Sequence, residues 1–307
     1  MMNKKLQILM PICVAVMVNA QDVFKVLAVK GGSTVKTANA TEWKKTLVGA
    51  KIQQADQIKL NTNDYLGLIH IASGKTLELK SAGTYNAKEL STKVTATGSS
   101  YSQKYAEYVM DAMSNGNGGA NNTVGGVVYR ALEHDVELDY PGNGHQIVIN
   151  NRVFDITWHR NPDVTVYEVV VQNMFDEVIH KAETTDTTLK VDLTKVNLGD
   201  ENRIKFKVWP KKAAERQLQS NKEVSLIVDE SKDFIKKKEE FLKEMKDETA
   251  LNHFVRAKFY ESENMFIDAI DSYNKAIKLE PKVEEFKVQK QQYLERTGAV
   301  KSQEAKK

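Results

Sequence analysis

Ala250-Leu251-Asn252-His253-Phe254-Val255-Arg256-Ala257-Lys258-Phe259-Tyr260, a short break at Ser262-Glu263-Asn264, and the run Phe266 to Leu279 closed by Pro281 form the stretch that decides the architecture. Apolar residues recur through both runs at helical spacing, which predicts two consecutive helices. Proline cannot continue a helix and stops the second one. Ala257, Ala269 and Ala276 are small enough to let the two helices approach closely. Tyr260 and Tyr273 are large enough to fill the gaps around them.

This helix pair resembles a tetratricopeptide repeat, a 34-residue helical hairpin. Counted from Ala250 as the first position, Ala257, Tyr260, Ala269, Tyr273, Ala276 and Pro281 match the signature positions of that family. His253 and Arg256 stand where the family prefers Trp and Leu, so the repeat departs from the pattern at its start. Repeats of this kind need stacked neighbours to bury their faces. A helix over 231–248, capped by Ser231, and another over 283–296 are expected to supply them. The resemblance implies a peptide-binding face or a packing and oligomerising role, and both stay open. Residues 229–298 form this helical region, and 299–307 are expected to be a disordered tail.

Upstream, residues 127–228 read as a β-sandwich. Phe154 to Trp158, Val164 to Val171, Glu177 to Lys181, Thr188 to Leu193, Arg203 to Trp209 and Ser225 to Val228 are short apolar runs separated by turn residues. That spacing predicts two packed antiparallel sheets. The order Trp158, Tyr167-Glu168-Val169, then Phe206-Lys207-Val208-Trp209 resembles a fibronectin type III or other immunoglobulin-like domain, a resemblance of core positions that says little about function.

Residues 114–126 are Gly- and Asn-rich and are expected to be a linker. Before it, residues 21–113 alternate in the manner of half-buried strands. Tyr65 to Ile71 and Lys75 to Leu79 flank Ala72-Ser73-Gly74, which predicts a hairpin. Leu47-Val48-Gly49, Asp56-Gln57-Ile58 and that hairpin together resemble a FecR-like domain. Members of that family usually pass a signal inward through a membrane helix. A terminal helix over Ser100 to Met113 presents Tyr101, Tyr105, Tyr108, Val109 and Ala112 on one face, expected to pack on the neighbouring sheet. The fold class expected is therefore multidomain: two all-β domains followed by an α-helical region.

The first twenty residues read as a secretory signal peptide, with Lys4 and Lys5, an apolar run from Leu6 to Val18, and Val18-Asn19-Ala20 before the cut. The run is too short to span about 30 Å of hydrocarbon, and no later stretch reaches about 18 apolar residues. Cys13, the single cysteine, lies inside the leader, so the mature chain has neither disulfide nor thiolate site. That usage suits a Gram-negative-type periplasm, outer membrane or cell surface. Without the two leader lysines the 44 basic residues fall to 42, against 41 acidic ones, which argues against nucleic acid as partner. Asn39-Ala40-Thr41 and Asn121-Asn122-Thr123 fit a glycosylation acceptor by chance.

Candidate chemistry is sparse. His70, His134, His145, His159, His180 and His253 show no metal-binding spacing. The pairs Asp135 and Glu137, and Asp176 and Glu177, flank turns, and the glycines from Gly116 to Gly126 lack a phosphate-loop ending. Lys236-Lys237-Lys238, answered by Glu239-Glu240, reads as a solvated helical face. No catalytic, cofactor-binding or metal residue is assigned and no cofactor is expected. The reading is an exported, non-enzymatic envelope adaptor or scaffold that binds proteins, with peptidoglycan or another polymer as a further partner and oligomerisation through the helices allowed. Its alternatives are a periplasmic ligand sensor acting through a membrane partner, and a surface polysaccharide-binding or hydrolytic protein.

Overall fold

Two β-domains clasp a helical layer. The computed structural model describes residues 21–94, 108–110, 136–141, 145–198, 202–211 and 223–300. The expected leader, the expected 114–126 linker, most of the expected 100–113 helix and nearly all of the expected 299–307 tail lie outside the described residues.

The N-terminal domain stacks two four-stranded antiparallel sheets. One has the order β4 (Lys51–Gln53), β1 (Asp22–Lys30), β6 (Tyr65–His70), β7 (Thr76–Leu79); the other β3 (Lys44–Lys45), β2 (Thr34–Lys36), β5 (Gln57–Leu60), β8 (Gly83–Asn86). Short helix α1 (Ala87–Val94) follows. Phe24, Val26, Ile58, Leu66 and Leu68 pack inside this domain with Leu90 and Val94 of α1. Gly74 turns the β6–β7 hairpin at φ 70°, a left-handed conformation glycine adopts freely.

Here the structure corrects the half-buried reading. Every residue of β6 is buried, and so are six consecutive residues of β1. Leu27, Ala28, Tyr65 and Ile69 point away from the domain interior into the same core as the helices. Both faces of this sheet are covered, so its strands bury consecutive residues rather than every second one.

The second domain pairs β10 (Val153–Thr157) with β13 (Thr188–Asp192), opposed to the sheet β12 (Val178–Thr184), β11 (Tyr167–Asn173), β14 (Arg203–Pro210), β15 (Val224–Val228), β9 (Ile147–Ile149). Strands β9 and β15 run parallel and the other pairs antiparallel. This is the strand order of an immunoglobulin-like sandwich. Its core holds Ile156, Tyr167, Val169, Val171, Val191, Phe206 and Val208, with Trp158 edge-on to Tyr167 at 5.3 Å.

Helices α2 (Lys232–Glu244), α3 (Ala250–Ser262), α4 (Phe266–Leu279) and α5 (Glu284–Arg296) complete the chain. Ser231 caps α2 by accepting from the Phe234 N–H, and Thr249 caps α3 by accepting from Asn252. Ala257, Ala269, Tyr273 and Ala276 are fully buried within the helical layer and Tyr260 nearly so, while Pro281 sits exposed in the turn after α4. Phe241 of α2 stacks on Phe259 at 4.2 Å, and Phe286 of α5 lies 5.1 Å from Phe254.

The solvated reading of the α2 lysines holds only for Lys236. Lys237 binds Glu263 at 2.7 Å and Lys238 reaches Asn150 of the sandwich at 2.7 Å, so this part of the helix is docked.

Candidate functional site

The helices are tied to both β-domains through polar groups. Glu78 on β7 accepts a hydrogen bond from the Leu251 backbone N–H at 2.7 Å, in the first turn of α3. Beside it Thr76 donates to Asn252, and Glu280, just past α4, pairs with Lys80 at 3.0 Å and Lys30 at 3.5 Å. The sandwich holds the other side. The Val148 N–H donates to the Asn264 carbonyl at 2.9 Å, and Tyr140 packs on Phe266 at 5.7 Å. A loop residue with left-handed backbone, Asn264 (φ 58°), thus lies between α3 and α4 and against β9.

Within the hairpin, Glu261 gathers three donors. Lys258 reaches it at 3.1 Å, Arg296 of α5 at 2.7 Å, and the Tyr273 hydroxyl of α4 completes the set. Lys258 is 1 % exposed and Glu261 2 % at their side chains. Burial lowers the Lys258 ammonium below the usual lysine range, and the Glu261 charge opposes that shift. This network ties α3, α4 and α5 into one register.

Two clefts flank α4. One, of about 360 Å³, opens between α2, α3 and α4 and is lined by His253, Arg256, Tyr260, Asp268, Ser272 and Lys275 among others. The second, of about 570 Å³, separates α4 and α5 from the sandwich and is lined by Ile149, Phe154, Phe266 and Ile270 together with Asp139 and Asp155 among others. Asp268 and Asp271 border both. Burial raises the Asp268 carboxyl above the usual range, with Lys238 acting against it.

Of the sequence-singled residues, Ala257, Tyr260, Ala269, Tyr273 and Ala276 come together in the helical layer. The histidines do not. His70 bridges Ser73 and Ser91 in the N-terminal domain, His159 pairs with Asp139 at 2.5 Å, and His253 meets Glu248 at 2.9 Å. His134 lies outside the described residues. Among the described residues no group of three His, Cys, Asp or Glu side chains is placed to hold a metal ion, and no helix is long and apolar enough to cross a membrane.

Sequence reading missed the Glu78 link, the Glu261 network and the first cleft. Only the cleft left a trace, since His253 and Arg256 break the apolar pattern where it opens. Also unforeseen is the β11–β12 hairpin tip, where Phe175 is 71 % exposed beside Met174 and Val178. Asn173 Oδ1 accepts from the Phe175 and Glu177 N–H groups, and Asp176 pairs with Lys205, so this apolar tip is held by its own turn.

No family model and no curated protein matches the chain. Among solved structures, the chicken CNTN1 FN1-FN3 domains are 12 % identical, with 67 % of this chain and 54 % of that one covered at a TM-score of 0.23. A beta-D-glucuronidase for Dictyoglomus thermophilum is 9 % identical, with 68 % and 44 % covered at 0.16. The chain therefore matches about half the length of each or less. At such TM-scores neither structure assigns an activity. The immunoglobulin-like assignment rests on the strand order.

Proposed function

We propose that the protein is an exported, non-enzymatic adaptor of the cell envelope, built from a FecR-like β-domain, a fibronectin type III-like sandwich and a tetratricopeptide-like helix pair, and that it holds partner proteins. One observation supports this reading above others: the helix pair is fixed from both sides by β-domains, yet α4 keeps an open cleft on each flank. A rigid, preorganised surface loses little freedom on binding, which favours recognition. The test is cross-linking and recovery of the tagged full chain from cells that express it, beside an Asn274→Trp chain whose larger side chain fills the second cleft. Specific envelope proteins captured by the native chain and lost by the variant support the adaptor. If neither chain captures any specific protein, the adaptor reading falls.

A second reading, a ligand sensor, draws on the Glu78–Leu251 and Thr76–Asn252 contacts, through which a change in the N-terminal domain reaches α3 directly. Partners captured equally by native and Asn274→Trp chains, but altered by a ligand of the N-terminal domain, favour it.

A further inference from the structure

The first cleft is sorted by charge in a way that specifies a ligand. Its basic side chains are already engaged. Arg256 donates to the carbonyls of Met245 and Asp247 and to Glu248 at 2.8 Å. His253 meets Glu248, and Lys275 pairs with Asp271 at 2.7 Å. An anion entering here finds the Arg256 and Lys275 charges already committed, and the His253 imidazole held by burial below its usual range.

The acceptors are in the opposite state. Tyr260 is 7 % exposed and Ser272 4 % exposed, and both line the cleft. Neither hydroxyl has a hydrogen-bond partner among the described residues, and the Asp268 carboxylate accepts from its own backbone N–H, with no side-chain donor bound to it among them. Asp268 and Ser272 stand four residues apart on α4, hence on one helix face. The Asp268 charge is close enough to Tyr260 to raise its phenol further, after burial. The nearby cation, Lys238, is held by Asn150 at 2.7 Å with its ammonium 5.6 Å from the Tyr260 ring, so it does not occupy these acceptors.

One carboxylate and two hydroxyls match the three N–H donors of a primary ammonium group. We propose that this cleft receives the side-chain ammonium of a lysine presented by a partner protein, with Asp268 balancing its charge and Tyr260 and Ser272 accepting its other two hydrogens. The inference rests on the adaptor reading, and supplies it with one specific anchor point.

The test is an NMR titration of the isotopically labelled full chain. The probes are N-acetyl-lysine methylamide, the same compound acetylated on its side-chain nitrogen, and glycyl-glycinamide, whose only ammonium is terminal. The expected result is saturable movement of the Ser272 and Asp268 amide signals with the first probe, weaker by about tenfold or more with the acetylated one. Asp268→Asn should weaken the first probe by about tenfold, and Ser272→Ala and Tyr260→Phe each by a smaller factor, with unchanged melting temperatures. The two hydroxyl deletions guard against a folding defect in the Asp268 variant. Equal binding of charged and acetylated lysine, or full affinity in Asp268→Asn, overturns the site. Preferential binding of glycyl-glycinamide overturns the lysine assignment in favour of a peptide N-terminus. If these titrations fail while the native chain still captures envelope partners, this site alone is wrong. Loss of capture altogether is the separate failure of the adaptor reading.

Discussion

Glu78 and Leu251, 173 residues apart, are joined by a 2.7 Å hydrogen bond in which a strand carboxylate accepts from the first turn of a helix. The same carboxylate oxygen accepts from the Tyr65 hydroxyl at 2.9 Å. Its second oxygen pairs with Lys80 at 2.9 Å. A negative group at a helix N-terminus meets unpaired N–H donors and the positive end of the helix dipole. One side chain thus serves as a tertiary cap and as the seam between two modules.

Replacing Glu78 by Ala should therefore cost about 1–3 kcal/mol, since it strands the Leu251 N–H and the Tyr65 hydroxyl together. Denaturant unfolding measures the loss. Hydrogen exchange at the Leu251 amide should accelerate more than exchange in the sandwich core, and equal acceleration everywhere contradicts a local cap.

The Glu261 network predicts an asymmetry. Glu261→Gln leaves the Lys258 charge buried without its partner and should destabilise by about 3–5 kcal/mol. Lys258→Met removes a buried charge while Glu261 keeps Arg296 and Tyr273, so it should cost clearly less. Urea denaturation of the two variants decides between this account and one in which both residues matter equally.

Gly67 predicts a steric effect. A Cβ there would stand 3.0 Å from Leu251 Cδ1 and 3.4 Å from the Ala28 Cβ. Gly67→Ala should destabilise by about 1–3 kcal/mol through overpacking between β6 and α3. Leu251→Val should partly offset it, giving a non-additive double-mutant cycle. Strict additivity would show that α3 simply moves away.

His70 predicts a pH dependence. Burial holds its imidazole below the usual 6.5, between Ser73 Oγ at 2.8 Å and Ser91 Oγ at 3.0 Å. The unfolded chain takes up the proton first as pH falls. The contribution of His70 is therefore complete above 6.5 and declines as pH drops through the lower, folded value. His253, also lowered by burial, acts in the same direction. The stability difference between pH 7.5 and 5.5 should shrink in His70→Gln, and an unchanged slope refutes the assignment.

Phe175 predicts a dissociation of stability from surface chemistry. It is 71 % exposed, so Phe175→Ser should shift unfolding by no more than about 0.5 kcal/mol. Phe254→Ala, fully buried, should cost about 3–5 kcal/mol in the same assay. A large loss at Phe175 would mean that the tip is packed rather than presented.

The helical layer was legible because its information is local. Ala257, Ala269 and Ala276 at helical spacing, Tyr260 and Tyr273 between them and Pro281 after them mark a helix pair whatever surrounds it, and the β6–β7 hairpin turns on Gly74 for an equally local reason. The sandwich strands were legible from alternation, since each has one face toward the core. Strands β1 and β6 misled by the same rule, because alternation reports one buried face and theirs are two.

The sequence by itself determined the layout of two β-domains followed by helices, through periodicity, turn residues and capping residues that act over a few positions. Tertiary structure alone decided that those modules are locked together. Glu78 reads as an outward strand residue until α3 brings the Leu251 N–H to it. Lys238 reads as solvated until Asn150 meets it. Asp268, Ser272 and Tyr260 are ordinary helical residues until two helices enclose them. Whether a polar group is paired, buried or left open depends on which distant segment lies against it, and no local pattern encodes that choice.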